Sequence, residues 1–171
     1  MRGKSIQKEK AVNELTRNAG EVNFPIGDTF YSQRRTLSAG ECGILTSLTW
    51  TTSPVHSDRE FALTTEFGEL ILAGAVVVAI AAGLLLTTSI YRDLESSYGV
   101  QMFAALDANA KFIAPVRFGD SIHLEVTLIN VRQSSSRPGC YVLGFEDRVV
   151  RQDDVLAVTL QRHILVETIS S

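Results

Sequence analysis

The chain has 171 residues, 45% of them hydrophobic and 20% charged, with a formal net charge of -3. That length fits one domain, large enough to bury an ordinary core without staples. The slightly acidic balance argues against nucleic acid, which needs a basic face to neutralise phosphates. The longest basic run is the doublet Arg34-Arg35, which argues against a polybasic membrane patch. Cys42 and Cys140 stand far apart in sequence, which suits neither a disulfide framework nor a metal site. They read as core filling in a reduced, cytoplasmic compartment, and no metal or cofactor is expected.

In chain order, residues 1–20 form a polar arm, with a short helix over Lys8 to Arg17 as one alternative and a disordered leader as the other. The arm has no apolar stretch of the kind a signal peptide carries. Residues 21–171 are read as the folded domain. Phe24-Pro25-Ile26-Gly27-Asp28 is a turn signal, and Thr29 to Leu37 alternates as a first strand. Ser38-Ala39-Gly40-Glu41 has capping-box spacing. It predicts a helix with Ile44, Leu45, Leu48 and Thr49 on one stripe, ending near Trp50. Thr51 to Ser57 reads as a loop, and Asp58 as the N-cap of a short helix reaching about Thr64.

Leu70 to Tyr91 carries no charge. Its length passes a membrane-span test. Yet it is rich in alanine and glycine, lacks an aromatic belt, and is bracketed by Glu66, Glu69, Arg92 and Asp93. It is therefore expected to be a buried helix of a soluble domain. Ala108 to Val116, Ser121 to Arg132, Cys140 to Gln152 and Val155 to Glu167 read as strands. The clearest alternation is Ile122, Leu124, Val126, Leu128. Short turns between them predict an antiparallel four-strand meander. A helix that is apolar nearly all round needs cover on nearly all sides. A curved antiparallel sheet wrapped around it supplies that cover, which is the α+β hotdog architecture.

Several segments, taken in order, make the chain resemble the MaoC-like (R)-specific enoyl-CoA hydratases and dehydratases. They are Ile26-Gly27-Asp28, Arg35-Thr36-Leu37-Ser38, Ser53-Pro54-Val55-His56-Ser57-Asp58 with Phe61-Ala62, Ala73-Gly74, and Ala114-Pro115-Val116-Arg117-Phe118-Gly119-Asp120. The resemblance implies an acyl thioester substrate, bound to CoA or a carrier protein, with water added or removed across the Cα–Cβ bond. It places the acid–base histidine at His56 and the backbone donor to the thioester carbonyl at Gly74. It implies a dimer, either of two copies or with another hotdog chain. The family's aspartate position is occupied by Thr51, its asparagine by Ser53 and its glycine by Trp50. Threonine cannot act as a general base at neutral pH.

The candidate site is therefore His56, Thr51 and Gly74 for chemistry, with Trp50, Ser53, Pro54 and Ala73 lining the substrate pocket. Asp28, Asp58, Glu60, Glu66 and Glu69 are weaker candidates for a surrogate carboxylate. His123 and His163 read as a solvent-face residue and a structural residue. Two readings compete with the hydratase. One is a repurposed pocket that promotes isomerisation or cyclisation of an apolar, polyketide-like molecule. The other is a non-catalytic subunit of a hotdog pair.

Overall fold

The structure is a computed structural model that describes residues 24–169; the predicted polar arm lies outside them. Six strands and five helices follow in chain order. They are β1 (Thr29–Tyr31), β2 (Arg35–Thr36), α1 (Ala39–Leu48), α2 (Pro54–Ser57), α3 (Arg59–Leu63), α4 (Gly74–Leu85), α5 (Ile90–Tyr98), β3 (Val100–Phe112), β4 (Ser121–Gln133), β5 (Cys140–Arg151) and β6 (Leu156–Thr168). One antiparallel sheet runs in the order β1-β4-β5-β6-β3, with β2 also paired to β4. The expected meander holds for β4, β5 and β6. β3 instead pairs with β6 at the far edge, so the chain crosses the whole sheet between β3 and β4.

Alternation decides the buried face. Ile122, Leu124, Val126 and Leu128 of β4 are fully buried, as are Leu143, Phe145 and Val149 of β5 and Val158 and Ile164 of β6. They pack against Val76, Val77, Ala81, Leu84 and Leu85 of α4, which makes one core between sheet and helix. Cover is one-sided, contrary to the sequence expectation. Ala75, Ala79 and Ala82 form an exposed stripe on α4 that Leu86 continues just past its end, and most of the edge strand β3 is exposed too.

Local chemistry explains where other boundaries fall. α1 starts as predicted, with Ser38 and Glu41 closing both halves of the capping box. Its buried residues are Cys42 and Thr46, while Ile44 and Leu48 face out. The expected stripe is therefore rotated: Cys42 joins the core cluster that α4 shares, and its thiol donates to the Leu37 carbonyl. The predicted first strand is two pieces. Between Tyr31 and Arg35 the chain advances four residues while β4 advances three, from Glu125 to Ile122. Ser32 sits in that bulge and exchanges hydrogen bonds with Leu124 through its own N–H and hydroxyl.

Part of the predicted loop is the one-turn helix α2, for which Pro54 at the first position is pre-set. Asp58 caps α3 as expected, accepting from the Glu60 and Phe61 N–H groups.

The long apolar segment is not one helix. Leu70 to Leu72 run extended, with Leu72 N–H donating to the Val116 carbonyl and Phe118 N–H to that of Leu70. α4 begins only at Gly74, and Leu86 to Ser89 separate it from α5. The stretch Gly74–Tyr98 is long and apolar enough to cross a membrane by composition. α4 itself is a 12-residue helix, about 18 Å long, short of a hydrocarbon core of about 30 Å. α5 carries Arg92, Asp93 and Glu95 and ends on Gly99 in the left-handed conformation.

Candidate active site

At the N-terminal end of α4 lies a cavity of about 480 Å³. Its walls come from His56 on α2, Phe67, most of the Ile71–Val77 stretch but not Ala73, Phe112 at the end of β3 with Ile113 to Val116 beyond it, and Val158 on β6. His56 and Gly74, predicted from far-apart positions in the chain, are thus brought to one cavity. The Pro115–Asp120 turn that forms one wall is tied down by charge. Arg151 donates to the Pro115 carbonyl at 2.8 Å and pairs with Asp153. Asp120 accepts from Arg117 N–H at 2.7 Å and from Gln152 at 2.7 Å.

The His56 ring is oriented by its backbone surroundings. Nδ1 lies 2.8 Å from the Ile71 carbonyl oxygen. A carbonyl only accepts, so Nδ1 carries the proton and Nε2 is the basic nitrogen. The Ile71 carbonyl is free for this because it precedes the helix. Ala73 is the N-cap and contributes no side-chain bond. The Ala73 carbonyl takes the Val76 and Val77 N–H groups. The Gly74 and Ala75 N–H groups have no protein acceptor among the described residues. Unpaired N–H groups at a helix start carry partial positive charge and suit a developing oxyanion.

Glycine at position 74 has a direct spatial reason. A Cβ there would fall 2.5 Å from Cε1 of Phe112 and 2.7 Å from its Cζ. The ring lies against the bare Cα, so Gly74 and Phe112 together form a wall of the cavity. Phe112 precedes the Ala114-Pro115 motif, and its place was not read from the sequence. Neither was that of Phe67, Ala75 or Ile113. The signal for Phe112 was available as an aromatic residue two positions before the Ala114-Pro115 motif that closes the cavity.

The other candidates lie elsewhere. Thr51, Trp50, Ser53, Pro54 and Ala73 do not line the cavity. The Thr51 hydroxyl is 2.9 Å from that of Thr49, and its N–H donates to the Thr46 carbonyl. Trp50 is 87% exposed and sits at φ 57°. That left-handed conformation favours glycine, so the position where the family carries glycine keeps the glycine backbone under a tryptophan side chain. Trp50 therefore points to solvent and does not reshape the pocket. Ser53 N-caps α2 through its backbone only.

None of the five surrogate carboxylates lines the cavity. Asp58 is spent on capping α3, and Glu69 pairs with Arg117 at 2.9 Å. His123 alternates away from Ile122 and Leu124 but is half-buried, its ring 3.6 Å from Glu125. His163 bonds to Asp107 across the β3–β6 pair at 2.8 Å. Among the described residues no group of three or more His, Cys, Asp or Glu side chains is placed to hold a metal. Cys42 and Cys140 are separate, buried free thiols, and burial pushes the Cys42 thiol up from its usual range.

With this geometry in hand, comparison with known proteins is informative. The fold is the hotdog fold. A MaoC-like dehydratase from Rhodospirillum rubrum superimposes with a TM-score of 0.74 at 22% identity, over 86% of this chain and 96% of that one. An (R)-hydratase from A. caviae involved in PHA biosynthesis gives 0.61 at 23% identity, over 85% and 98%. The sequence model of the MaoC like domain matches residues 22–145, and the chain belongs to that family. The protein MaoC of Klebsiella aerogenes is 30% identical over 101 residues. That match takes in 59% of this chain but only 28% of the Klebsiella protein, so the chain spans about a quarter of this curated relative.

Proposed function

We propose that the chain is an acyl-thioester hydratase or dehydratase that works with histidine alone in place of a histidine–aspartate pair. The observation that carries this is one cavity lined both by His56, whose Nδ1 is tethered, and by Gly74 and Ala75, whose N–H groups at the helix start are unpaired among the described residues. In the hydration direction, His56 Nε2 takes a proton from water as the water oxygen bonds to Cβ of the enoyl group. The Cα=Cβ electron pair moves to the carbonyl oxygen, where the Gly74 and Ala75 N–H groups meet the enolate charge. The His56 imidazolium then returns the proton to Cα. Dehydration is the same path reversed.

Hydration of crotonyl-CoA, followed by loss of the enoyl absorbance, tests this. Activity in wild type that is lost in His56→Ala supports the assignment. An inactive wild type refutes it for CoA substrates and moves the test to carrier-bound enoyl groups.

A second reading draws support from the same cavity: among its residues His56 is the only titratable side chain, and none carries a hydroxyl. Such a wall suits isomerisation or cyclisation steered by shape. Since Trp50 points to solvent, Phe112 is the residue that separates the readings. A shape-driven reaction falls more in Phe112→Ala than in His56→Ala, and an acid–base reaction the reverse.

We also propose that the exposed α4 stripe and the β3 edge receive a second hotdog subunit, a second copy of this chain in the simplest case. Alanine faces and unpaired strand edges are otherwise left to water.

A further inference from the structure

A second cavity of about 300 Å³ follows the first along α4 and β6. The first has Val77 and Val158 in its wall, and the second has Val78, Ala81 and Leu85 on the helix with Leu160, Arg162 and Ile164 on the strand. Most of its wall is aliphatic or aromatic, yet two ion pairs belong to it: His163 with Asp107, exposed and satisfied by each other, and the buried Arg162 with Asp147. Asp147 is 3% exposed and Arg162 9%. Both face the helix. Arg162 pairs across the sheet with the core residue Phe145, and Asp147 with Leu160.

Arg162 Nε donates to Asp147 Oδ2 at 2.6 Å, and its guanidinium lies 4.5 Å above the Phe145 ring. Nη2 and the other carboxylate oxygen, Oδ1, are buried with no partner. Nε is the only guanidinium nitrogen with a protein acceptor among the described residues, so most of the donor fork is unused.

A buried ion pair with idle donors and an idle acceptor stabilises less than apolar residues of the same volume would. Such an incompletely satisfied pair in a largely apolar wall points to a ligand. We propose that the two cavities are successive parts of one acyl channel, and that Asp147 and Arg162 select a chain carrying a neutral oxygen substituent, such as a hydroxyl. This rests on the acyl-thioester reading above. A hydroxyl accepts from the guanidinium and donates to the carboxylate, so it answers both idle groups. A carboxylate substituent would face the Asp147 charge, and a plain alkyl chain would leave both groups unpaired. From Val158 to Arg162 is four residues of strand, about 13 Å. The selected substituent therefore sits near the far end of a medium-length chain, well beyond the reacting carbons.

The test is calorimetric titration of the full chain with two unreactive thioethers, S-dodecyl-CoA and its ω-hydroxy counterpart. The hydroxylated compound is expected to bind about tenfold tighter or better. In the double variant Asp147→Leu/Arg162→Met, which replaces the pair with apolar groups, the preference reverses. Arg162→Lys keeps the charge but loses the fork, and narrows the preference toward unity. Equal wild-type affinities, a wild-type preference for the plain chain, or no binding of either compound overturns the proposal. Crotonyl-CoA is too short to reach Arg162. An enzyme inactive on it that still prefers the hydroxylated thioether fails the hydratase reading for CoA substrates and leaves this one standing.

Discussion

Replacing Gly74 by alanine perturbs the centre of the site through a single methyl group. The new Cβ would stand 2.5 to 2.8 Å from three atoms of the Phe112 ring. Ordinary carbon contacts lie near 3.5 Å, so the ring has to move by about 1 Å. Phe112 is 60% exposed, so it can swing outward without displacing backbone. Crowding costs about 1 kcal/mol, the low end for overpacking. Loss of glycine's freedom in the unfolded chain returns about 0.4–1 kcal/mol. Stability should therefore change by less than about 1 kcal/mol, within about 4 °C in Tm. Activity should suffer more, because the methyl and the displaced ring crowd the approach to the Gly74 N–H. A misplacement of about 1 Å costs on the order of 10²-fold. The assay is kcat/KM for crotonyl-CoA hydration beside a thermal melt. In the double variant Gly74→Ala/Phe112→Ala the ring no longer obstructs the methyl, so part of the loss should return. A single variant within about threefold of wild type would refute the assigned role of the Gly74–Phe112 wall.

Four further predictions follow from the same geometry. His56→Ala should lose about 10²–10⁴-fold in hydration; His56→Asn keeps a donor toward the Ile71 carbonyl and should hold Tm better without recovering activity. Thr51→Asp should give no rise in hydration, since position 51 bonds to Thr49 away from the cavity; a clear gain in kcat would overturn that placement. Trp50→Gly should raise Tm by a few degrees, because relief of the left-handed strain is worth up to about 1 kcal/mol and an 87% exposed side chain buries little; a lowered Tm would mean the indole is covered in the assembly.

The fourth concerns acid. Hydrogen bonds from Ser38 and then Arg35 hold Glu41 down at about 2, from an ordinary 4.5. A depressed carboxylate stabilises the fold above its unfolded value and stops doing so as pH falls through the folded one. Melts of wild type and Glu41→Gln should therefore differ at pH 7 and converge between about pH 4.5 and 2; a constant difference across that range would remove the carboxylate's charge from the explanation.

What could be read from the chain was what its neighbours in sequence determine. The Ser38–Glu41 box, the Asp58 cap and the alternation of β4 depend on residues a few positions apart, and each was placed nearly to the residue. Composition alone began the apolar helix too early, at Leu70, because Leu70 to Leu72 answer to the distant Val116 and Phe118, whereas the Ala73-Gly74 motif stood at its true start. The first half of β3 was missed because an edge strand exposed on both faces shows no alternation. The orientation of α1 failed for a related reason: Ile44 and Leu48 look like a core stripe, but the face turned inward is the one that carries Cys42 and Thr46. At the site, motif order brought forward His56 and Gly74, whereas Phe112 and the Asp147–Arg162 pair act through cross-strand and helix–sheet contacts. An ionisable residue at an inward position, as in Leu160-Gln161-Arg162-His163-Ile164, was nonetheless a legible anomaly.

The tether between His56 and the Ile71 carbonyl sets how this protein can change over generations. Ile71 is bridged to Arg117 and stands three residues before Gly74. The His56 ring and the free amides of Gly74 and Ala75, to which the proposed reaction assigns base and carbonyl donor, are thus measured from the same short piece of backbone. Strands β5 and β6 set the depth and polarity of the groove beyond. Lineages can therefore alter what the groove accepts, one inward side chain at a time, while the distance between base and amides stays as it was. On the proposed reading, reaction and selectivity are written on separate parts of the chain, and each can drift without erasing the other.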